Sequence, residues 1–291
     1  MDKSKKITLL GYASGLGAGD HGCAQGPNAI RKSNYFSKIN DFIDQFKLFK
    51  SGNSIEKLDA IPEIVKINEN LAKSTAELVK QNKFFITLGG DNCCSIGSWS
   101  GASAAKHTNG KIGLIWLDAH MDSHTPDSSH SKNVHGMPLA TLLGYGDKRL
   151  TQIMTKKPKV SPENVALIGA RSYEPEERAL LEELNVKIYY MPEVQKRGFD
   201  VIMNEAIKHV TRHTVGYGIC LDLDVIDPSE APGVGTPEAE GISKNAMIDA
   251  FSHLKHDKRL LGLEIVEFNP LLDKEHKTEK LIFDLIGDLI R

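Results

Sequence analysis

Four polar side chains, Asp118, His120, Asp122 and His124, occupy alternate positions directly after the apolar run GLIWL (113–117). The run predicts a buried strand, and the polar residues follow where that strand ends. Carboxylate and imidazole groups at this spacing suit hard or borderline divalent cations such as Mn²⁺. For any one of these residues, a helix cap or a loop hydrogen bond is the alternative interpretation.

A second acidic pair, Asp222 and Asp224, follows another apolar run later in the chain. Residues two apart in a strand point to the same side, so both carboxylates face the same way. Together with Asp118 and Asp122 they carry four negative charges, which two divalent ions would cancel. Without metal, crowded carboxylates repel one another or take up protons at a cost in stability. The two linked patterns therefore predict a metal site.

Short apolar runs alternate with amphipathic helical patterns along the chain. The strand candidates are Ile7–Gly11, Phe84–Leu88, Ile112–Leu117, Val165–Gly169, Val186–Tyr190, Tyr217–Val225 and Leu261–Val266. Most are apolar on both faces, as expected for strands that helices cover on either side. The segment Pro62–Gln81 places its apolar residues on one helical stripe behind a proline suited to a first turn.

This alternation predicts an α/β fold, in which a parallel sheet carries helices on both faces. In such sheets ligands bind beyond the carboxyl ends of the strands, which is where the unusual polar residues of this chain lie. Residues 1–291 contain no internal repeat and no break in composition, so we expect one domain.

The composition is typical of an ordinary globular protein. Apolar residues make up 40% and charged residues 25%, and the formal net charge of −2 is spread without long runs of one sign. These values argue against nucleic acid or a membrane surface as a partner. The first apolar run is too short for a signal peptide, and no stretch approaches the roughly 18 apolar residues of a membrane helix. The four cysteines lack CxxC spacing. We therefore expect a cytoplasmic protein with reduced thiols.

Five motifs give the chain a resemblance to the ureohydrolases, the family of arginases, agmatinases and formiminoglutamases, and most of all to the arginases. The motifs, in family order, are GGDN (89–92), DAHMD (118–122), NVHGMPLA (133–140), DLDVIDPSEAPGVGTPE (222–238) and EIVEFNP (264–270). The resemblance implies a three-layer α-β-α fold with a central, mainly parallel eight-stranded sheet. It also implies a binuclear manganese centre, with Ni²⁺ or Co²⁺ as alternative metals.

The resemblance also implies how the ligands are shared. By position, Asp118 and Asp222 would bridge the two ions. Asp122 would complete the shell of the first ion and is counted among the catalytic residues, while His120 and Asp224 would complete the shell of the second.

Two positions depart from the family pattern. Asn92 replaces the metal-binding histidine of the motif GGDH, and a carboxamide oxygen is a poorer donor than imidazole to a first-row transition metal. We therefore expect the first ion to be held more loosely. His124 stands where arginases usually carry an asparagine that contacts the substrate; it either supplies a nitrogen ligand in compensation or simply lines the pocket. Cys93 and Cys94 are interpreted as buried small hydrophobes rather than ligands.

Catalytic roles follow from the same resemblance. Glu267 matches the carboxylate that holds the guanidinium group. His135 matches the histidine assigned to proton transfer, a role that suits a group titrating near neutral pH. Asp91 and Asp227 match positions that support the site without binding metal.

Four residues match substrate-binding positions of arginases: Ser131, Asn133, Glu174 and Thr236. The first two correspond to readers of the α-carboxylate of arginine, and Glu174 falls near the reader of its α-amino group. Against arginine as the substrate stand His124 and Ser172, the latter at a position where arginases tend to have an aspartate.

The resemblance thus predicts hydrolysis of arginine to urea and ornithine by a homo-oligomer, a trimer or a hexamer. The alternatives are a hydrolase of another guanidino or formimino compound, namely agmatine, guanidinobutyrate or formiminoglutamate, and a catalytically weak arginase-like protein with one metal position impaired by Asn92.

Overall fold

The computed structural model describes residues 6–52 and 55–290. The strands are β1 Ile7–Ala13, β2 Ile43–Lys50, β3 Phe85–Leu88, β4 Gly113–Leu117, β5 Val165–Ala170, β6 Lys187–Tyr190, β7 Tyr217–Asp222 and β8 Leu260–Val266. They form one sheet in the order β2-β1-β3-β8-β7-β4-β5-β6. Every neighbouring pair is parallel. The expected parallel sheet of eight strands is confirmed.

Helices cover both faces of this sheet. They are α1 Gly26–Lys32, α2 Ile61–Lys80, α3 Cys94–Lys106, α4 Pro138–Leu143, α5 Lys148–Thr151, α6 Pro175–Glu183, α7 Met191–Arg197, α8 Phe199–Thr211, α9 Lys244–Leu254 and α10 Lys277–Ile290. One apolar core packs α8, α9 and α10 against the sheet, and a second core packs α2, α3 and α6 against it. The three-layer α-β-α architecture is therefore confirmed.

The periodicity of α2 shows why the sequence forms this layer. Ile64, Ile67, Leu71 and Leu78 are all buried, and Pro62 lies in the first turn, where its missing N–H costs no helical hydrogen bond. The expected helix over Pro62–Gln81 is shifted by one residue at each end.

Two details of the strands differ from expectation. The sequence Ile43–Lys50 was not among the strand candidates, because it alternates apolar with charged residues and is only half buried at the edge of the sheet. The expected strand Tyr217–Val225 is too long. It ends at Asp222, whose carboxylate accepts a hydrogen bond from the Asp224 backbone N–H and starts a 3₁₀ turn over Leu223–Val225.

The order of the central strands brings the polar loops together. β3, β8, β7 and β4 are consecutive neighbours in the sheet, and all run the same way. The motifs that follow them are GGDN, EFNP, DLDVID and DAHMD, so all four leave the same edge. This topology positions the site. Among the described residues, no helix is both long and apolar enough to span a membrane.

Lys159 provides a first testable feature of the fold. Its side chain is buried, and Nζ donates to the backbone carbonyls of Thr151, Thr155 and Lys157 at 2.6, 2.7 and 3.0 Å. Burial lowers the pKa of Lys159 to about 8. Lys159→Met should leave three carbonyls without their donor and reduce the free energy of unfolding by about 2–3 kcal/mol. Urea denaturation would measure the loss.

The matched control is Lys156→Met, an exposed lysine in the same loop. It should change the unfolding free energy by no more than about 0.5 kcal/mol. Equal midpoints for the two variants would show that the three carbonyl contacts do not stabilise the loop.

Candidate metal centre and active site

The loops after β4 and β7 bring three predicted ligands together. His120 Nδ1 lies 3.0 Å from Asp224 Oδ2 and 3.5 Å from Asp118 Oδ1. One ligand atom of each residue lies within 4.8 Å of the others. Both aspartates are buried, and only the imidazole is partly accessible. Two carboxylates and one imidazole at this spacing can hold one divalent ion.

The protonation equilibria of this trio reflect crowded buried charge. Burial, followed by the charge of Asp224, raises the pKa of Asp118 to about 7. Burial also opposes ionisation of Asp224, but His120 outweighs it and lowers the pKa of that carboxyl. For His120, burial lowers the pKa, and the two carboxylates more than reverse this and raise it far above its ordinary value. The site thus demands positive charge, which the protonated imidazole supplies in the absence of a metal.

The remaining predicted ligands surround the side chain of Asn92. Its Nδ2 lies 2.5 Å from Asp122 Oδ2, 3.4 Å from Asp222 Oδ2 and 3.5 Å from Asp118 Oδ2. Burial, followed by neighbouring carboxylates, raises the pKa values of Asp122 and Asp222 well above the ordinary range. The structure therefore brings all six predicted metal-binding residues into one cluster. The donor set fits divalent cations, because buried carboxylates require a cation to stay ionised.

The backbone around the cluster is tightly constrained. Asp122 has φ +47° and Glu267 has φ +64°, a left-handed conformation that residues other than glycine adopt only when their surroundings impose it. A Cβ added at Gly90 would lie 1.9 Å from the Ser14 carbonyl oxygen, so only glycine fits between β1 and the start of the GGDN loop. These constraints hold the ligand loops in position.

Glu267 and His135 form a second group beside the cluster. Glu267 Oε1 accepts from the Asn92 backbone N–H at 2.9 Å and lies 3.1 Å from His135 Nδ1. Burial alone would lower the pKa of His135, but its hydrogen bond to Glu267 and the surrounding carboxylates raise it above the ordinary value. Asp91 accepts from the backbone N–H groups of Gly17 and Cys93, in keeping with a supporting position. Burial, followed by Glu267, raises the pKa of Asp91 to about 6.

His124 lies in a different environment from the ligand cluster. Its Nε2 is 2.6 Å from Glu174 Oε2 and 3.6 Å from Glu177 Oε2, and its Nδ1 is 3.0 Å from Ser128 Oγ. Both ring nitrogens thus have partners outside the carboxylate cluster. This geometry favours the interpretation that His124 lines the pocket over the one in which it replaces a metal ligand. The buried Cys93 and Cys94 have pKa values raised by burial, as expected of inert thiols.

The other predicted residues lie on the surrounding loops. Ser131 Oγ accepts from the Asn133 backbone N–H at 3.2 Å, so these two residues shape one turn. Thr236 Oγ1 donates to Asp224 Oδ2 at 3.2 Å, which places it directly beside a predicted ligand. Asp227 instead accepts from Ser229 and caps a local turn. Asp227 thus helps to shape the loop that follows β7.

Two residues at the site, Glu264 and Arg171, were missed from the sequence. Glu264 is a fully buried carboxyl that accepts from Ser98 and Trp99 at 2.8 and 2.9 Å and lies 2.7 Å from Ser95 Oγ, and burial raises its pKa. An acidic residue inside an otherwise apolar strand was the available signal. The guanidinium of Arg171, directly after β5, donates to backbone carbonyls including that of Asp224 at 2.7 Å.

Comparison with known proteins identifies similar chains over the full length of the described fold. The model of the arginase family matches residues 5–291. An arginase of Brevibacillus brevis is 37% identical, and the match covers 98% of each chain. The crystal structure of Bacillus caldovelox arginase has a TM-score of 0.89 at 35% identity and 98% coverage of both chains. That of Bacillus subtilis arginase has a TM-score of 0.90 at 34% identity, with 99% of this chain and 98% of that chain covered. In sequence and in fold, this chain belongs to the arginase family.

Proposed function

We propose that this protein hydrolyses the guanidino group of arginine, releasing urea and ornithine. The observation that carries the proposal is the convergence of buried carboxylates, His120 and the Glu267–His135 pair at one edge of the sheet, in a chain of the arginase family. A cationic guanidinium group and divalent ions both require such an acidic site.

Manganese is the metal we propose, with Ni²⁺ or Co²⁺ as alternatives. Asp118 and Asp222 would be shared between two positions. Asp122 and Asn92 would complete the first position, and His120 and Asp224 the second. When bound, divalent ions supply positive charge to the site and activate water toward the guanidinium carbon.

Glu267 is proposed to orient the substrate. Its Oε1 is held by the Asn92 backbone N–H and by His135 Nδ1, so we expect Oε2 to accept from the guanidinium. A carboxylate that the backbone already fixes loses little side-chain entropy when the substrate binds. It therefore places the reacting carbon reproducibly against the metal-binding carboxylates.

His135 is proposed to transfer a proton to the leaving group. Because Nδ1 faces Glu267, Nε2 is the nitrogen that can hold or release a proton toward the substrate. Burial opposes protonation of His135, but the hydrogen bond to Glu267 outweighs it and raises the pKa, which favours the protonated form. It is thereby suited to donate a proton to the departing amino group of ornithine.

A second candidate substrate class is favoured by the contact between His124 and Glu174. Ser131, Asn133, Glu174 and Thr236 are proposed to bind the amino-acid end of arginine. However, Glu174 Oε2 already contacts His124 Nε2 at 2.6 Å. This contact competes with a substrate ammonium group, and a guanidino acid without an α-amino group would avoid the competition.

A substrate panel distinguishes these possibilities. Urea release should be measured for arginine, agmatine and guanidinobutyrate, and ammonia release for formiminoglutamate, after loading with Mn²⁺, Ni²⁺ or Co²⁺. We expect arginine to have the highest kcat/KM, by roughly tenfold or more, because each missing charged group removes about 1.5–3 kcal/mol of hydrogen bonding. His124→Asn, which restores the usual arginase residue, should widen the preference. Faster turnover of guanidinobutyrate in the unmodified protein would instead assign it to the second class.

We also propose that the protein is a cytoplasmic homo-oligomer, a trimer or a hexamer. This proposal rests on the membership of the arginase family. Light scattering of the purified protein would measure its mass in solution.

A further inference from the structure

Asn92 places a hydrogen-bond donor where the family places a metal ligand. The side chain is buried, with 1% of the residue exposed. Its Nδ2 faces one oxygen each of Asp118, Asp122 and Asp222, at 2.5–3.5 Å. These three carboxylates are the ones expected around the first ion. The amide nitrogen therefore lies where they converge.

The groups behind Asn92 orient its carboxamide. Ser95 Oγ donates to Asn92 Oδ1 at 2.7 Å, and Cys220 Sγ lies 3.7 Å from the same oxygen. Ser95 Oγ is also 2.7 Å from Glu264 Oε2, so this contact with the buried Glu264 holds the serine oxygen in position. Donors thus face the oxygen of the amide, and carboxylate acceptors face its nitrogen. Every polar atom of the side chain is satisfied in this orientation.

A carboxamide in this position cannot donate to the carboxylates and bind a metal ion at the same time. Its nitrogen has no lone pair to give a metal ion, and only its oxygen is a ligand. For Oδ1 to reach an ion, the amide must rotate by half a turn. The rotation removes the donor from the carboxylates of Asp122 and Asp222 and turns Nδ2 toward Ser95 and Cys220. Metal binding at the first position therefore competes with charge-assisted hydrogen bonds that the protein supplies itself.

At the second position, no amide has to rotate before the ligand atoms can face an ion. Asp118, His120 and Asp224 present oxygen and nitrogen ligands within 4.8 Å of one another. The two positions thus differ in the chemistry of their side chains, although they share carboxylates.

We propose that the Asn92 carboxamide takes the place of the first ion, so that the chain holds one divalent ion tightly, at Asp118, His120 and Asp224, and a second only weakly. This inference deepens the proposed function, because it specifies the metal content of the same site. One ion and a neutral amide leave part of the acidic charge uncompensated. The weak binding of a second ion is therefore expected rather than its exclusion.

The test is to count manganese per chain in the full-length protein. After dialysis against metal-free buffer, plasma mass spectrometry should find about one Mn²⁺ per chain in the unmodified protein. Asn92→His should retain about two, with the second ion bound roughly 10–100-fold more tightly than before. The electron paramagnetic resonance spectrum should change from the resolved hyperfine pattern of an isolated Mn²⁺ to the broadened spectrum of a coupled pair.

Two further variants keep the test decisive. His120→Asn removes the imidazole from the tight position and should lose the retained ion, whereas Asn92→Ala should still retain one. Thermal unfolding of each variant with and without Mn²⁺ separates loss of metal from loss of fold. Two equally tight ions in the unmodified protein would overturn the inference, as would one ion in both the unmodified protein and Asn92→His.

The outcomes also separate this inference from the proposed function. A protein that holds two tight ions and releases urea from arginine retains the proposed function and loses the inference. A protein that holds one tight ion but hydrolyses none of the tested substrates retains the inference and loses the proposed function.

Discussion

Asp222→Asn should lower urea release from arginine by about three orders of magnitude, equivalent to ~4 kcal/mol of transition-state stabilisation. Asp222 ends β7, is buried, and directs Oδ1 to the Asp224 backbone N–H at 3.0 Å and Oδ2 toward Asn92 at 3.4 Å. Its replacement by a neutral amide removes a negative charge that both metal positions are proposed to share. The variant should therefore also lose bound metal.

The loss of activity and of bound metal should be accompanied by an unchanged or higher stability of the metal-free protein. Burial raises the pKa of Asp222, so its ionised form destabilises the protein in the absence of cations. Asp222→Asn should thus be at least as stable as the unmodified protein in a chelator, as thermal unfolding would show. Asp249→Asn, the same change on an exposed position of α9, is the control and should alter neither activity nor metal content. Asp222→Asn with activity within tenfold of the unmodified protein would contradict the assignment.

Removal of divalent ions should make the protein strongly sensitive to pH. The pKa of Asp118 is about 7 in the folded protein, above its ordinary value of 3.8. Between these two values the unfolded chain has released the proton that the folded protein keeps, so the free energy of unfolding falls as pH rises from about 4 to 7. Asp122 and Asp222, whose pKa values are also raised, act in the same direction.

The histidine of the cluster adds to the same trend. The pKa of His120 is raised above 6.5, so the stability it contributes is complete below that pH and is lost as pH rises further. The lowered pKa of Asp224 has the opposite sign, but it matters only below about pH 4, near the ordinary value of 3.8. In a chelator, the thermal midpoint should therefore fall steadily from pH 5 to pH 8.

Manganese should reverse this loss. A cation that binds only the folded state at about 1,000 times its Kd adds ~4 kcal/mol, which corresponds to roughly 7 °C for a chain of this length. Scanning calorimetry at several pH values, with chelator or with excess Mn²⁺, would measure both effects. The Asp222→Asn variant should show a flatter profile in chelator. A thermal midpoint that is constant or rising between pH 5 and pH 8 without metal would contradict the proposed source of instability.

The elements of the fold were largely predictable because their signals are local. Apolar runs between helical patterns identified seven of the eight strands, and the proline and the apolar stripe of α2 located that helix to within one residue. β2 was not predicted because an edge strand has a neighbouring strand on one side only and is partly exposed, so it does not need a continuous apolar run. Asp222 ended a strand earlier than expected because its side chain captures the backbone N–H two residues on.

The sequence by itself indicated which aspartates and histidine meet at the site. Acidic residues and histidine follow apolar strands at a spacing of two, and parallel strands deliver their carboxyl ends to one edge. Only the tertiary structure decided which groups the side chains of Asn92 and His124 contact. The orientation of the Asn92 amide depends on Ser95 in α3 and Glu264 in β8, and the partner of His124 is Glu174 at the start of α6. Hydrogen bonds between side chains from distant segments depend on the relative position of those segments, which no local pattern encodes.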